Sequence, residues 1–570
     1  MRFVKQKLVF AVFIFGLGFL FYSNAFVLAK SEGEQEVFFV EKPYDLKQRE
    51  QVFFRLVKIS NQAYFYMESD WYLNITDKER GVINQNLDSL ADSFDKEIYP
   101  KLTGFWGSEW NPGIDNDSKI TIVFQQMPIG VAGYFNDGNE YLKQQSPFSN
   151  EREMVYLSTE ILKANLVKSY LAHEFTHLII FNQKDRLQNI NEDVWLTEAR
   201  AEYSPFYLGY DNQSGKTNLQ QRINDFSKKP FDSLVIWDGE QSDYGVVAVF
   251  TQYLVEKYGE SILSSSLHTP KTGADSIDEV LLRAGATKSF LQIFNEWAVA
   301  VSSNNCSLGE AYCYKSPALA NLRIPSNLVV LPSSGQTNLS LNYSLAPWSS
   351  NWYRFIGSEG DLKLTFNFDP RAEFVLKFVL CEKKDGCHVF DFDTAGSLKK
   401  ELLINNFSQN YLSLTLVPSV KPRFSNIATL GDAYSFSVVA QTTNEPSQVT
   451  QENELIKMLL AQIEQLKVQI AKIQAQLAVS RPHPSACLQR SGVVSISTNL
   501  YFGLNSSTVS CLQEFLKQQG ADIYPQGIVS GYFGSLTKTA VIKFQKKYSI
   551  MATGYVGVLT RAKINQILGL

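Results

Sequence analysis

The chain has 570 residues, of which 45% are hydrophobic and 13% aromatic. At roughly 100–200 residues per domain this length predicts several domains, and the apolar content excludes global disorder. The formal net charge of −4 provides no concentrated basic surface, so we expect no nucleic-acid partner. Only five histidines are present, which makes any two of them at metal-ligand spacing informative.

The first residues are typical of an export signal. Three basic residues precede an apolar run over residues 8–22, and residues 27–29 suit a signal peptidase. We therefore expect a signal peptide over residues 1–29. The alternative is an uncleaved membrane anchor over residues 8–29, which is long enough to span a bilayer. Either segment predicts a secreted or cell-surface protein, with membrane contact only if the segment stays uncleaved.

The six cysteines fall into three pairs that are close in sequence: Cys306 and Cys313, Cys381 and Cys387, and Cys487 and Cys511. Pairing between neighbours keeps every disulfide bond local, and an exported protein folds in an oxidising compartment. We therefore predict three disulfide bonds, with unrelated buried thiols as the alternative. No CxxC motif occurs, which argues against a zinc site built from thiolates.

Two patterns of hydrophobicity divide the chain before residue 443. Residues 30–315 combine strand-like runs, such as 119–124, with helical periodicity over 161–181 and 290–301. This mixture predicts an α/β (α+β) domain. Over residues 320–442 the period changes to two, and the alternating segments are separated by turn residues. Such a pattern is typical of an all-β sandwich.

The rest of the chain predicts a linker, a coiled coil and a small domain. Residues 443–454 are polar, and Ile and Leu then recur at heptad spacing over 455–479. The g positions carry glutamine rather than charge, so a homodimer and a semi-rigid stalk within one chain both stay open. Residues 485–570 contain a repeated turn and helix pattern, GYFGSLT at 531–537 and GYVGVLT at 554–560. The repeat predicts a small all-α domain.

The sequence HEFTH at residues 173–177 lies within an apolar stretch of helical period. Residues i and i+4 share one face of a helix, so His173 and His177 can bind the same metal ion. Glu174 lies beside them and is placed to take a proton from water that the metal activates. We therefore predict one catalytic Zn²⁺ ion, with two ordinary helix histidines as the alternative.

A catalytic zinc site needs a third protein ligand and an open position for water. The metzincin pattern would require Gly at position 180 and His at position 183, but the chain has Ile180 and Gln183. The alternative is a glutamate on a following helix, where Glu198 and Glu202 have i, i+4 spacing. We predict Glu198 as the third ligand and Glu202 as the residue that supports a ligand histidine.

The region from about residue 100 to 300 resembles the HExxH-plus-Glu metallopeptidases, the gluzincins, and the hyicolysin-like family in particular. The likeness comprises GYF at 133–135, SNE at 149–151, HEFTH, the run WLTEARAE at 195–202, and Tyr244 with Gly245. The residue after the ligand Glu is usually Gly in this family and is Ala199 here. The resemblance implies a zinc endopeptidase that hydrolyses polypeptides, with the extended substrate laid along a strand that precedes the HEFTH helix.

The same resemblance implies roles for single residues. Glu174 would act as the general base and then pass its proton to the leaving amine. A Tyr or His on the helix after the third ligand would stabilise the oxyanion. Tyr244 is the candidate for that role, with a tyrosine packed at a helix start as the alternative, and His268 is a further candidate.

Two acidic loops have residue types that suit Ca²⁺: Asp115-Asn116-Asp117 and Asp137-Gly138-Asn139. Calcium is bound by carboxylate and carbonyl oxygens, which both loops contain. Neither loop has the spacing of an EF-hand, and plain turns are the alternative for both.

Residues 487–570 resemble the small peptidoglycan-binding module that is attached to bacterial wall enzymes. The shared pattern runs in order through LQ at 512–513, GYFG at 531–534, Thr537, AV at 540–541 and FQ at 544–545. That family commonly has Asp before the turn glycine, where this chain has Ser530. The resemblance implies that the module binds peptidoglycan, with a generic three-helix packing module as the alternative.

Together these patterns predict a secreted zinc metallopeptidase that is targeted to the bacterial cell wall. Two further functions stay open at this point. One is a hydrolase whose substrate is the peptide stem of the peptidoglycan itself. The other is a catalytically inert adhesin or scaffold of the cell envelope.

Overall fold

The computed structural model describes residues 30–163, 166–211, 217–331, 337–358, 360–392, 394, 397–423, 433–443 and 495–569. The predicted signal peptide, the linker after Thr443 and the coiled coil lie outside the described residues. The chain divides into two compact units, Met1–Thr450 and Gln451–Leu570. Within the described ranges, no helix is both long enough and apolar enough to cross a membrane.

The first unit is built on a mixed six-stranded sheet. Its strands are β1 (Gln35–Phe39), β2 (Gln51–Ile59), β3 (Ala63–Glu68), β4 (Ile120–Gln125), β5 (Gly133–Phe135) and β6 (Met154–Ser158). Their spatial order is β1-β2-β3-β4-β6-β5. Strands β3, β4 and β6 are parallel, and the outer pairs are antiparallel. The three parallel strands are buried along their whole length, as expected where helices or loops cover both faces.

Helices occupy most of the chain between the strands and up to residue 303. They are α1 (Ser69–Asn74), α2 (Asp77–Ser93), α3 (Tyr99–Trp106), α4 (Val167–Ile180), α5 (Val194–Tyr207), α6 (Asn218–Lys228), α7 (Gln241–Tyr258), α8 (Ser261–Leu267), α9 (Gly273–Arg283) and α10 (Phe290–Ser303). Helix α4 packs against β5 and β6. The HEFTH motif therefore lies at the β5 end of the sheet.

The helix predicted over residues 161–181 is shorter than its periodicity indicated. Ile161–Lys163 forms a separate 3-10 turn, and α4 begins at Val167. The reason is a tertiary contact, because the backbone oxygen of Leu162 accepts a hydrogen bond of 3.0 Å from the Asn86 side chain on α2. The apolar residues of both segments enter the same core, which is why the pattern looked continuous.

The region of period two folds into two sheets that share one core. Its strands are β7 (Asn327–Leu331), β8 (Thr337–Leu345), β9 (Tyr353–Gly357), β10 (Asp361–Phe368), β11 (Ala372–Glu382), β12 (Gly386–Phe392), β13 (Lys399–Ile404), β14 (Tyr411–Pro422) and β15 (Tyr434–Thr443), with the short helix α11 (Phe407–Asn410) before β14. One sheet has the order β13-β10-β15-β8, and the other β12-β11-β14-β9-β7. Alternate side chains from both sheets, such as Phe366 and Phe378, form the shared core, so the predicted β region is confirmed.

The α/β region and the β region are joined within the first unit by buried polar contacts. Trp352 donates its ring N–H to the backbone oxygen of Ala298 on α10 at 2.7 Å. Asn295, also on α10, donates to the backbone oxygen of Val417 on β14 at 2.9 Å. Trp348 adds its ring to the core that contains the helices. The two sequence regions are therefore packed as parts of one unit.

Two of the three predicted disulfide bonds are confirmed. Cys306 is bonded to Cys313 in the turns after α10, and Cys381 is bonded to Cys387, its direct neighbour across β11 and β12. Cys511 is also disulfide-bonded, while its predicted partner Cys487 lies outside the described residues.

The second unit contains a small helical domain, as predicted. Its helices are α12 (Ser507–Gln518), α13 (Ser535–Lys547) and α14 (Val558–Ile567). Apolar residues from all three helices, including Leu512, Phe544 and Ile564, meet in one core. Isolated bridges pair Leu500 with Val556 and Asn505 with Tyr532.

Candidate functional site

The two histidines of HEFTH and Glu198 converge in the first unit. His173 and His177 lie one turn apart on α4, with 3.1 Å between their Nε2 atoms. Helix α5 packs against α4 and brings Oε2 of Glu198 to 3.3 Å from Nε2 of His173 and 3.6 Å from Nε2 of His177. One ligand atom from each residue therefore lies within 4.8 Å of the other two.

The arrangement of protons at this centre fits a cation. Nδ1 of His173 is 3.5 Å from Oε1 of Glu202, so the ring proton belongs on Nδ1 and the Nε2 atom keeps its lone pair. Oε2 of Glu198 is buried and receives no well-formed hydrogen bond from a described residue. Lone pairs of two imidazoles and one carboxylate thus face a common point, and this nitrogen and oxygen donor set suits Zn²⁺.

Glu198 is ionised although it is buried. Burial raises the pKa of this carboxyl group, but the nearby imidazoles of His177 and His173 outweigh burial and hold the pKa below its ordinary value. An ionised carboxylate is the form that binds a metal ion. The site is therefore prepared for positive charge at the point where the three side chains meet.

Glu202 is held by a separate set of charged and polar partners. Arg222 on α6 donates Nη2 to Oε1 at 2.6 Å and Nε to Oε2 at 3.0 Å, and Asn218 donates Nδ2 to Oε2 at 2.7 Å. Burial raises the pKa of Glu202, but Arg222, His173 and Asn218 together hold it below its ordinary value. Neither Arg222 nor Asn218 was predicted from the sequence. Their i, i+4 spacing on one face of α6 is the signal that was available.

Glu174 lies beside the histidines at the β5 end of the sheet. Burial raises the pKa of its carboxyl group to about 8, although His177 acts in the opposite direction. Oε1 of Glu174 lies against Gly133, where a Cβ atom would be 2.9 Å from this oxygen and 2.7 Å from the backbone oxygen of Tyr156. Only glycine leaves the carboxyl group this space. Phe135, on the same strand, lies parallel to the His177 ring with 6.4 Å between ring centroids.

Tyr244 lies in the first turn of α7, close to the same carboxylates. Its ring is covered by the Arg222 guanidinium at 4.5 Å and meets the edge of Trp237 at 4.8 Å. Burial and the negative charges of Glu198 and Glu202 raise the pKa of its hydroxyl group. The hydroxyl group is therefore a neutral donor, and it makes no hydrogen bond with another described residue.

His268, the other candidate for stabilising the oxyanion, lies in surroundings that differ from those of Tyr244. It follows α8 directly. Burial and the positive charges of Arg200 and Lys184 lower its pKa. His268 therefore lies near Arg200 and Lys184, which both pair with Glu192.

The two acidic loops use several of their side chains as turn residues. Asp117 accepts a hydrogen bond from the Tyr64 hydroxyl at 2.9 Å, and Asp115 accepts one from the backbone N–H of Asp117 at 2.9 Å. Asn139 donates to the Tyr156 hydroxyl at 3.2 Å. These bonds are typical of side chains that fix turns.

The sequence repeat of the second unit has a physical cause in two buried glutamines. Gln513 on α12 accepts from the backbone N–H groups of Ser530 and Gly531 at 2.8 and 2.9 Å, and donates to Thr537 Oγ1 at 2.9 Å. Its counterpart on the next helix makes matching bonds, so each glutamine clamps the glycine turn that follows it.

That counterpart is Gln545 on α13. It accepts from the backbone N–H of Gly554 at 2.9 Å and donates to Thr560 Oγ1 at 3.0 Å. Both glutamines are 1% exposed. The recurrence of Gln, Gly and Thr in the sequence is therefore the recurrence of one hydrogen-bonding unit. Tyr532 and Tyr555, which follow the two turn glycines, are both exposed.

Comparison with known proteins identifies this second region. Residues 505–564 match the family model described as "Putative peptidoglycan binding domain", and this part of the chain is a domain of that family. Ser530, where the family commonly has Asp, donates its hydroxyl group to the backbone oxygen of Tyr532 at 3.3 Å and accepts from the backbone N–H of Tyr532 at 3.2 Å. No curated protein matches the chain.

Solved structures give only distant similarities. The pre-peptidase C-terminal domain of a collagenase from Bacillus anthracis is 11% identical with a TM-score of 0.14, and the match covers 20% of this chain and 94% of that one. The M60 catalytic domain with two CBM51 domains of Clostridium perfringens ZmpB is 10% identical with a TM-score of 0.17, over 69% of this chain and 60% of that one. TM-scores this low carry no argument about fold or activity.

Proposed function

We propose that the protein is a zinc endopeptidase that acts on polypeptides at the bacterial cell wall. The observation that carries this proposal is the convergence of His173, His177 and Glu198 within 4.8 Å, with Glu174 buried beside them. Two nitrogen ligands and one carboxylate leave one tetrahedral position open, which is the arrangement of a catalytic rather than a structural zinc site.

The residues of the centre divide the work of amide hydrolysis. Glu174 accepts a proton from the attacking water as a general base and returns it to the departing amine as a general acid. Glu202 holds His173 in the tautomer whose Nε2 atom is a ligand, and Arg222 keeps Glu202 ionised. When bound, zinc would lower the pKa of water and polarise the scissile carbonyl group.

Tyr244 is the candidate donor to the oxyanion of the tetrahedral intermediate. Its hydroxyl group is protonated and makes no hydrogen bond within the described chain, so it is available to substrate. Arg222 covers its ring and limits its movement. An oxyanion donor of this kind contributes roughly 10²–10³-fold to kcat.

An extended peptide is the substrate that best suits the surroundings of the centre. Strand β5 is the last strand of the sheet, and its outer edge is not paired with another of the described strands. Gly133 on β5 adjoins Glu174, which places this edge next to the general base. Peptides commonly bind by adding a strand to such an edge.

The second unit supports action at the cell wall. The domain at residues 505–564 belongs to a family described as peptidoglycan binding, and the disulfide bonds of the first unit are typical of extracellular proteins. Binding to peptidoglycan would keep the enzyme at the envelope and raise its local concentration there.

The direct test is the Glu174→Gln variant of the full chain. We expect it to retain about one zinc ion per chain, because Glu174 is not a ligand, and to lose about 10²–10⁴-fold of casein hydrolysis. Glu160→Gln is the control, since Glu160 is 72% exposed, and its activity should equal that of the wild type. Unchanged hydrolysis by Glu174→Gln would contradict the assignment.

A second candidate is hydrolysis of the peptide stems of peptidoglycan, which the wall-binding domain favours. Incubation with purified sacculi and with denatured casein separates the two substrates. Release of soluble stem peptides without casein cleavage would support the second candidate. A purified protein that contains no zinc and cleaves neither substrate would instead support an inert envelope adhesin.

A further inference from the structure

Two glutamates outside the candidate zinc centre form a buried pair, and neither forms an ion pair with a basic side chain of the described residues. Glu140 ends the 3-10 turn Asp137–Glu140 and is 2% exposed, and Glu153 directly precedes β6 and is 3% exposed. The backbone N–H of Arg152 donates to the backbone oxygen of Asn139 at 3.1 Å, which brings the two carboxyl groups close together. Both oxygens of Glu140 are nevertheless buried without a hydrogen-bond donor among the described residues.

The charges that act most strongly on Glu140 are all negative. They belong to Glu153, Asp115 and Asp137. Asp115 and Asp137 come from the two separate loops whose composition suits calcium, so the fold brings both loops to one place. Burial raises the pKa of Glu140 well above its ordinary value and that of Glu153 to about 7. The metal-free pair is therefore costly to keep ionised.

A proton shared between Glu140 and Glu153 would not give every buried oxygen of the pair a hydrogen-bond partner. Oε1 of Glu153 accepts a hydrogen bond from the backbone N–H of Ile114 at 2.8 Å, which favours the ionised form of Glu153. Glu140 would then hold the proton and donate it to Glu153. Its second oxygen would remain buried without a donor, which is unfavourable. A cation between the two groups instead interacts with the oxygens of both.

We propose that Glu140 and Glu153 bind a calcium ion that joins the two ends of the connection between β5 and β6. Carboxylate oxygens are the ligands that Ca²⁺ prefers, and its flexible coordination by six to eight oxygens allows water and backbone carbonyl groups to complete the site. Asp115 and Asp137 add favourable negative charge. Mg²⁺ demands stricter octahedral geometry and gives up its water reluctantly.

The ion would stabilise the segment next to the candidate zinc centre. The connection that contains Glu140 and Glu153 runs from β5 to β6, and β5 carries Gly133, which adjoins Glu174. Glu153 also lies against Gly113, where a Cβ atom would be 1.8 Å from its Oε2 atom. Calcium would thus fix both ends of this connection beside the sheet, next to the loop that contains Gly113. This role concerns stability and does not depend on the proposed peptidase activity.

Equilibrium dialysis of the full chain against ⁴⁵Ca²⁺ tests the site directly, with micromolar zinc held constant. We expect about one tightly held calcium ion more in the wild type than in Glu140→Gln. The matched control is Glu109→Gln, because Glu109 is also a buried glutamate, 1% exposed with one oxygen lacking a donor among the described residues. It should bind as much calcium as the wild type.

Thermal unfolding gives a second measurement. Millimolar CaCl₂ should raise the Tm of the wild type and of Glu109→Gln by roughly 2–6 °C and leave that of Glu140→Gln nearly unchanged. If Glu140→Gln does not fold, Asp115→Asn decides, since it keeps the pair and should weaken calcium binding several-fold. Calcium binding that is absent from the wild type, or equal in the wild type and the folded variants, would overturn the proposal. A Glu140→Gln protein that is more stable than the wild type at every calcium concentration would identify a shared proton instead.

Discussion

The candidate zinc centre and the wall-binding domain both depend on buried polar side chains, but different kinds of interaction hold these side chains in place. The centre draws charged groups from α4, α5 and α6, where Glu198 has imidazole partners and Glu202 is paired with Arg222. The C-terminal domain uses neutral glutamines, each of which fixes the turn that follows it in sequence. Charged side chains are therefore concentrated at the candidate zinc centre, where catalysis is proposed. In the C-terminal domain, neutral hydrogen bonds fix the shape of the turns.

The difference between charged and neutral partners also determines how much stability a substitution costs. At the centre, removal of one charged partner leaves another charge buried and unpaired, which is strongly unfavourable. In the small domain, removal of a glutamine leaves neutral backbone N–H groups without an acceptor, which costs less for each group. Substitutions in the two regions should therefore have effects of different size and kind.

The largest expected effect is that of Glu198→Ala. It removes the carboxylate ligand and leaves the two histidines alone, so zinc content should fall from about one ion per chain to below about 0.1 after dialysis. Casein hydrolysis should fall by at least about 10³-fold. Elemental analysis and a casein assay measure the two effects. A variant that keeps both zinc and activity would exclude Glu198 from the centre.

The next effect tests the glutamine clamps. Gln513→Leu leaves the backbone N–H groups of Ser530 and Gly531 without their acceptor, whereas Gln545→Leu affects only that of Gly554. We expect losses in the free energy of unfolding of about 2–4 and 1–2 kcal/mol, respectively. Hydrogen exchange in residues 505–564 of the full chain measures both. Equal losses would show that the stability each glutamine provides does not depend on the number of backbone N–H groups that it accepts from.

The same contrast explains what could be predicted from the sequence. HEFTH and Glu198 were identifiable because helix geometry places residues i and i+4 on one face. The repeated turn and helix was visible because Gly and Thr recur in order, but the hydrogen bonds from the two glutamines were not predicted. Arg222 and the contact of Gly133 with Glu174 were missed, since they depend on how α6 and β5 pack beside α4 and α5. Spacing within one element cannot reveal such contacts. The late start of α4 was missed for the same reason, because a contact with α2 decides it.

Arg222→Met tests whether the charge network beyond the ligands matters. Glu202 would lose its two hydrogen bonds from Arg222, and its orientation of His173 would loosen. We expect zinc affinity and kcat/KM to fall by about 10–100-fold, as for other residues that support metal ligands. Arg222→Lys should recover only part of this loss because a lysine cannot form the bidentate contact. Full activity in Arg222→Met would limit the centre to its ligands and Glu174.

The smallest expected effect on activity is that of Gly133→Ala. The new Cβ atom would lie 2.7 Å from the backbone oxygen of Tyr156 and 2.9 Å from Oε1 of Glu174, so β5 or the carboxyl group must shift by several tenths of an ångström. A misplaced general base lowers kcat, and we expect a loss of about 10-fold or more, with zinc content unchanged.

Gly81→Ala is the matched control, because Gly81 is exposed in α2 and a Cβ atom there would meet no other atom within 4 Å. That change should leave activity intact and stabilise the helix by about 0.5–1 kcal/mol. Equal activities of the two alanine variants would show that catalysis does not depend on the space that Gly133 leaves for the Glu174 carboxyl group. A loss of activity in Gly133→Ala alone would instead show that β5, and not only the helices, contributes to the catalytic centre.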